Sequence, residues 1–210
     1  MKKKTYILLS LFFLTAFAGW TMAVSIWDVQ TIGPAGSSVG FAELNCFVHT
    51  LTGVNMGLYV ITDWLSLIPL FFVTGFAILG LTQLVQRKSL LKVDHNILLL
   101  GCFYLVTLGN YLFFEKFIVN LRPVLIKGVL EASYPSSTTM LVICVMSTAA
   151  LQLGERIQNY ALKKWLTILI YGFIVIMVIG RLLSGVHWFS DIVGGILLST
   201  GLVLIYKGLQ

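Results

Sequence analysis

Six stretches of this chain are apolar and close to twenty residues long: 5–24, 58–84, 97–114, 136–153, 165–183 and 189–206. A helix needs about 20 mostly apolar residues to cross the hydrocarbon of a bilayer. Inside that layer an irregular chain leaves its peptide groups unpaired, so each run is expected to be helical. The composition agrees, with 58% hydrophobic and 10% charged residues against about 25% charged in an ordinary soluble domain. The predicted fold is all-α: a multi-pass membrane protein with six transmembrane helices in one bundle. A length of 210 residues suits one membrane domain, with 1–54 supplying the first span and an outer loop and 55–207 the helical core. Internal repeats and linkers are lacking. Cys46, Cys102 and Cys144 have no metal-binding or CxxC spacing, and the two inside apolar runs, Cys102 and Cys144, read as small buried hydrophobes.

The distribution of charge orients the bundle. With the N-terminus inside, the inner segments hold Lys2, Lys3, Lys4, Arg87, Lys88, Lys92, Arg156, Lys163, Lys164 and Lys207, ten of the 14 Lys and Arg. That bias follows the positive-inside rule, so the net charge of +6 is read as membrane orientation and no nucleic-acid partner is expected. The first run follows three lysines and ends near AFAGWTMA. It reads as an uncleaved anchor in preference to a signal peptide, because it is long for a signal core. The outer loop from about Ser25 to Gly57 has turn residues in TIGPAGSSVG. Its FAELNCFVHTLTG segment is either a structured cap over the bundle or an amphipathic helix lying on the bilayer.

Four cations remain outside: Lys116, Arg122, Lys127 and Arg181. Arg181 belongs to GRLLSGVHWFSDIVGG, which also carries His187 and Asp191. If the sixth helix starts near His187, these two lie four apart on one face. A carboxylate so placed orients the imidazole and leaves its other nitrogen free as nucleophile or base. An acid one turn inside an apolar helix points to a functional site; the bland alternative is an ion pair that stabilises a helix end. Arg122, in EKFIVNLRP, is a planar fork suited to phosphate oxygens, and a lipid headgroup contact is its other reading. In EASYPSSTTML either Ser133 or Ser136 can cap the fourth span, whose N-terminus is also an anion site. A transporter is disfavoured, since Asp63 and the break at Pro69 are the only hints of a mid-membrane polar site.

Taken in order, Arg122-Pro123, Pro135-Ser136 and Arg181…His187…Asp191 resemble the three motifs of the type-2 phosphatidic acid phosphatase superfamily. The resemblance spans roughly residues 55 to 207, with its motifs between 115 and 191. It implies a six-helix bundle with an active site at the membrane surface and neither metal nor cofactor. His187 would take the phosphoryl group as a phosphohistidine, and Asp191 would orient it. Arg122, Arg181, Ser136, Ser137 and Lys116, with nearby backbone N–H groups, would hold the phosphate.

The chain departs from that pattern at three places. Glu115 stands where the family has Lys, with Lys116 one place late, a rotation of about 100° on a helix. Gly180 replaces the Ser before Arg181. Thr138 stands where the family places the histidine that protonates the leaving group. General acid help is worth roughly 10²–10⁴-fold, most for a basic lipid alkoxide and least for a lipid monophosphate leaving from a diphosphate. The expected function is therefore a membrane lipid phosphatase acting on a lipid phosphate or diphosphate, with a polyprenyl diphosphate as its best substrate. The alternatives are a catalytically weak relative that binds lipid phosphate as a sensor or partner, and a lipid phosphotransferase. His49, Tyr134 or a water on Thr138 are the replacement proton donors to consider.

Overall fold

The computed structural model describes residues 2–210, and among them the regular elements are helical, with three isolated β-bridges in the loops. The helices are α1 (Lys3–Ile26), α2 (Ala42–Thr52), α3 (Met56–Leu65), α4 (Leu67–Arg87), α5 (His95–Lys116), α6 (Ser137–Arg156), α7 (Tyr160–Leu183) and α8 (Phe189–Leu209). Six helical segments are long and apolar enough to cross a membrane. The second expected span is two helices, α3 and α4, meeting at Ser66. Pro69 has no N–H to offer the carbonyl four residues back, at Leu65, so the ladder opens there.

α6 and α8 form the centre. In their apolar stretches 67% and 50% of residues are buried, against 11% in α1 and 6% in α3–α4, whose outer faces are left for lipid. Close approach of α1 to α8 depends on small residues, as in many membrane helix pairs. Gly201 faces Leu14, and Gly208 faces Ile7. Gly194, seven residues before Gly201, faces the Tyr134 ring. Ser10 Oγ donates to the Gly201 carbonyl at 2.8 Å, so α1 is packed as an integral helix of the bundle. Polar groups inside α6 find partners: Thr148 Oγ1 donates to the Cys144 carbonyl at 2.8 Å, and Gln152 Nε2 to Tyr206 Oη at 2.5 Å.

The two ends of the bundle differ. One end gathers Arg87 and Asp94, paired at 2.7 Å, with Asn96 on Glu155 at 2.8 Å. The other gathers the α1–α3 loop, the α5–α6 loop and the α7–α8 turn. There α2 packs its Ala42 and Asn45 side inward over α8, while Leu44, Phe47 and Leu51 stay exposed. This helix caps the bundle and presents an apolar stripe outward.

Candidate active site

The α7–α8 turn carries the central histidine. Gly185 adopts φ +66, and any side chain there would strike the Gly53 carbonyl. The neighbouring Ser184 carbonyl accepts from Asn55 N–H at 3.0 Å, tying the turn to the start of α3. α8 begins at Phe189, where the sixth apolar run begins, so the condition that would put His187 on the helix is not met. Asp191 Oδ2 accepts the Trp188 N–H at 2.9 Å and so caps the helix start. His187 thus lies in the turn, and its Nδ1 is 3.8 Å from Asp191 Oδ2, too far for a direct hydrogen bond.

The α5–α6 loop supplies the missing link. It folds back as a short hairpin, with Leu121 opposite Ala132 and Ile126 opposite Val129. Lys127 and Gly128 at its tip have φ of 50 and 79, the two positive values of a tight two-residue turn. Arg122 N–H donates to the Glu131 carbonyl at 3.0 Å, and Ser133 N–H to the Asn120 carbonyl at 2.9 Å. Register therefore sets Asn120, Arg122, Glu131 and Ser133 on the two rungs beside His187.

Ser133 Oγ lies 3.0 Å from His187 Nδ1 and 2.5 Å from Asp191 Oδ2. Asp191 Oδ1 accepts from Asn120 Nδ2 at 3.2 Å. On the opposite edge of the ring, Arg122 Nη1 is 3.3 Å from His187 Nε2. One proton arrangement satisfies every partner: Nδ1–H donates to Ser133, the Ser133 hydroxyl donates to Asp191, and the Nε2 lone pair faces Arg122. Burial pushes the His187 pKa down to about 4; Arg122 and Arg181 push it the same way, and Asp191 opposes them. The ring is neutral near pH 7, with one defined lone pair in a cationic setting. His187, Asp191 and Ser133 are all buried.

The other expected residues divide into two groups. Arg181 is 2% exposed, with its guanidinium 5.0 Å over the Tyr59 ring and Nη1 3.4 Å from Thr62 Oγ1. Its Nε is buried without a partner. Ser136 is the N-cap of α6, accepting the Thr139 N–H at 3.4 Å, and its own N–H bonds the Asp191 carbonyl at 3.0 Å. Ser133, the other candidate cap, works in the histidine relay instead. Ser137 and Thr138 line an apolar cavity of about 490 Å³ between α4, α5 and α6, together with Leu70, Tyr104 and Tyr111. Lys116 ends α5, exposed. It is Glu115, on the adjacent face, that shares a crevice with Ser133 and Ser137; the one-place shift turns the lysine away from it.

Neither His49 nor Tyr134 lines the apolar cavity at Thr138, although Tyr134 borders the crevice with Ser133 and Ser137. His49 Nε2 lies 3.2 Å from the Gly185 carbonyl, with its ring against Trp188. The Tyr134 hydroxyl is 2.7 Å from Thr21 Oγ1 on α1. Burial raises its pKa, which keeps its proton in place. Among the described residues, no three His, Cys, Asp or Glu side chains converge as metal ligands would. Asn120 and Glu131 are residues that sequence reasoning missed, and it named Ser133 only as a helix cap. Their types are unremarkable for a loop, and only the hairpin register could have found them.

One end of the bundle thus gathers a neutral histidine, a serine-bridged carboxylate and two buried arginines. The PAP2 superfamily profile matches residues 105–209, half of the chain, and the chain belongs to that superfamily. Its fold is similar to a structure described as the first transmembrane PAP2 type phosphatidylglycerolphosphate phosphatase from Bacillus subtilis. The TM-score is 0.65 at 18% identity, covering 95% of this chain and 94% of that one. No curated protein matches the chain at comparable significance.

Proposed function

We propose that the chain hydrolyses lipid phosphates or diphosphates through a phosphohistidine on His187. The observation that carries this reading is the Asp191–Ser133–His187 relay, which leaves Nε2 as the attacking lone pair and sets Arg122 against it. In the first step Nε2 attacks phosphorus, the P–N bond forms, and the bond to the leaving oxygen breaks. The ring gains positive charge, which the Ser133 bridge to Asp191 offsets. Arg122, Arg181 and the N-terminus of α6 hold the phosphate oxygens. In the second step a water cleaves P–N and releases inorganic phosphate.

The leaving oxygen sets the preference. Thr138 cannot act as a general acid near neutral pH, so a leaving group that departs as an anion is favoured. A polyprenyl diphosphate fits that demand better than phosphatidylglycerolphosphate or phosphatidic acid, whose leaving groups are alkoxides. The apolar cavity beneath Ser137 and Thr138 supports a lipid-borne substrate. The concentration of basic residues at the opposite end supports a cell-membrane protein with its N-terminus cytoplasmic and the site outside.

Phosphate release by purified protein from all three lipids tests the reading, with trapping of labelled phosphate on His187. Diphosphate should be the best substrate, and Thr138→His should raise the two monoester rates more than the diphosphate rate. A wild-type preference for phosphatidic acid would sink the leaving-group argument. Lipid binding without turnover in both wild type and His187→Ala would instead favour a binding protein.

A further inference from the structure

Arg122 already has an anion. Its Nε lies 3.1 Å from Glu131 Oε2, across the hairpin, while its Nη1 sits on His187 Nε2 at 3.3 Å. The Glu131 side chain is 42% exposed and that of Arg122 is 9% exposed. The Nε–H is not aligned for a hydrogen bond to the carboxylate, so charge alone holds the pair. A pair open to solvent on one side is weak and can be displaced without moving the backbone, since the hairpin rung uses the Glu131 carbonyl.

We propose that Glu131 is a specificity-determining residue: a built-in stand-in for the substrate phosphate that keeps singly charged phospholipids out of the site. This rests on the phosphate-binding role proposed for Arg122. With Glu131 in place, Arg122 covers the Nε2 lone pair and the nucleophile is blocked. An entering phosphate takes over the guanidinium, Glu131 swings to solvent, and Nε2 is uncovered. Being tethered, the carboxylate competes at high effective concentration. An ordinary phospholipid headgroup is a diester with one negative charge, no better than the carboxylate it must replace. A phosphomonoester or terminal diphosphate carries about −1.5 to −2 near neutral pH and displaces it.

The test is calorimetric binding of inorganic phosphate to the purified full chain in detergent, with phosphatidylglycerol as competitor. If only about a tenth of the wild-type protein has Arg122 free, removing the Glu131 charge tightens phosphate binding about tenfold. Glu131→Gln should show that gain, and phosphatidylglycerol should then compete where it did not in wild type. Glu131→Ala should repeat the result. Equal or weaker phosphate binding in both variants, or phosphatidylglycerol competition already present in wild type, overturns the proposal. Because these readouts are binding constants, they stand apart from the phosphohistidine test of the reaction.

Discussion

At the residue scale, Ser133→Ala removes the bridge while leaving His187, Asp191 and both arginines in place. Losing a group that orients a reactive side chain typically costs roughly 10–100-fold in activity; that loss should fall on kcat, with phosphate binding retained. His187→Ala should lose roughly 10³-fold or more, because the bond-forming atom is gone. A Ser133→Ala variant with unchanged kcat would mean that Asp191 serves only to cap α8. The depressed pKa of His187 makes a second prediction. The acid limb of kcat/KM, which reports the free enzyme, should lie near pH 4 instead of near 6.5. The sign for stability follows from the same shift. Between about 6.5 and 4 the unfolded chain binds a proton that the folded chain refuses. The contribution of His187 to stability is therefore complete above that window and declines as pH falls through it.

At the scale of elements, the site depends on how closely α1, α8 and the turns approach one another. A Cβ on Gly201 would lie 2.7 Å from Leu14 Cδ2 and 3.3 Å from Leu14 N. Gly201→Leu should therefore destabilise the bundle by about 1–3 kcal/mol through overpacking, read as a lower Tm and faster proteolysis of α1. Gly185→Ala should cost activity as well as stability. It forces a side chain into φ +66 against the Gly53 carbonyl, with strain of roughly 1–3 kcal/mol in the turn that aims His187. A melting curve with a phosphate-release assay separates the two cases, since Gly201→Leu should keep its activity below its lowered Tm.

For the whole molecule, the natural cysteines report orientation. Cys46 is exposed on α2 at the site end, Cys102 is exposed on α5 inside a spanning helix, and Cys144 is buried. A membrane-impermeant maleimide added to intact cells should label Cys46 and spare the other two. Protection of Cys46 until the cells are broken would reverse the proposed orientation. Six apolar spans and the superfamily itself were legible from residue order alone, because hydrophobic length and motif spacing are local properties. The bias of Lys and Arg toward one end of the chain's loops was legible in the same way. What the chain does with Ser133, Asn120 and Glu131 was not legible. Their partners lie 58 and 71 residues away for Ser133 and Asn120, and across a hairpin for Glu131. The relay exists because a two-residue turn at Lys127-Gly128 sets a register that aims these side chains at the α7–α8 turn. Helix length and motif come from local chemistry; a serine between a histidine and an aspartate comes from the packing of three separate segments, which only the tertiary structure decided.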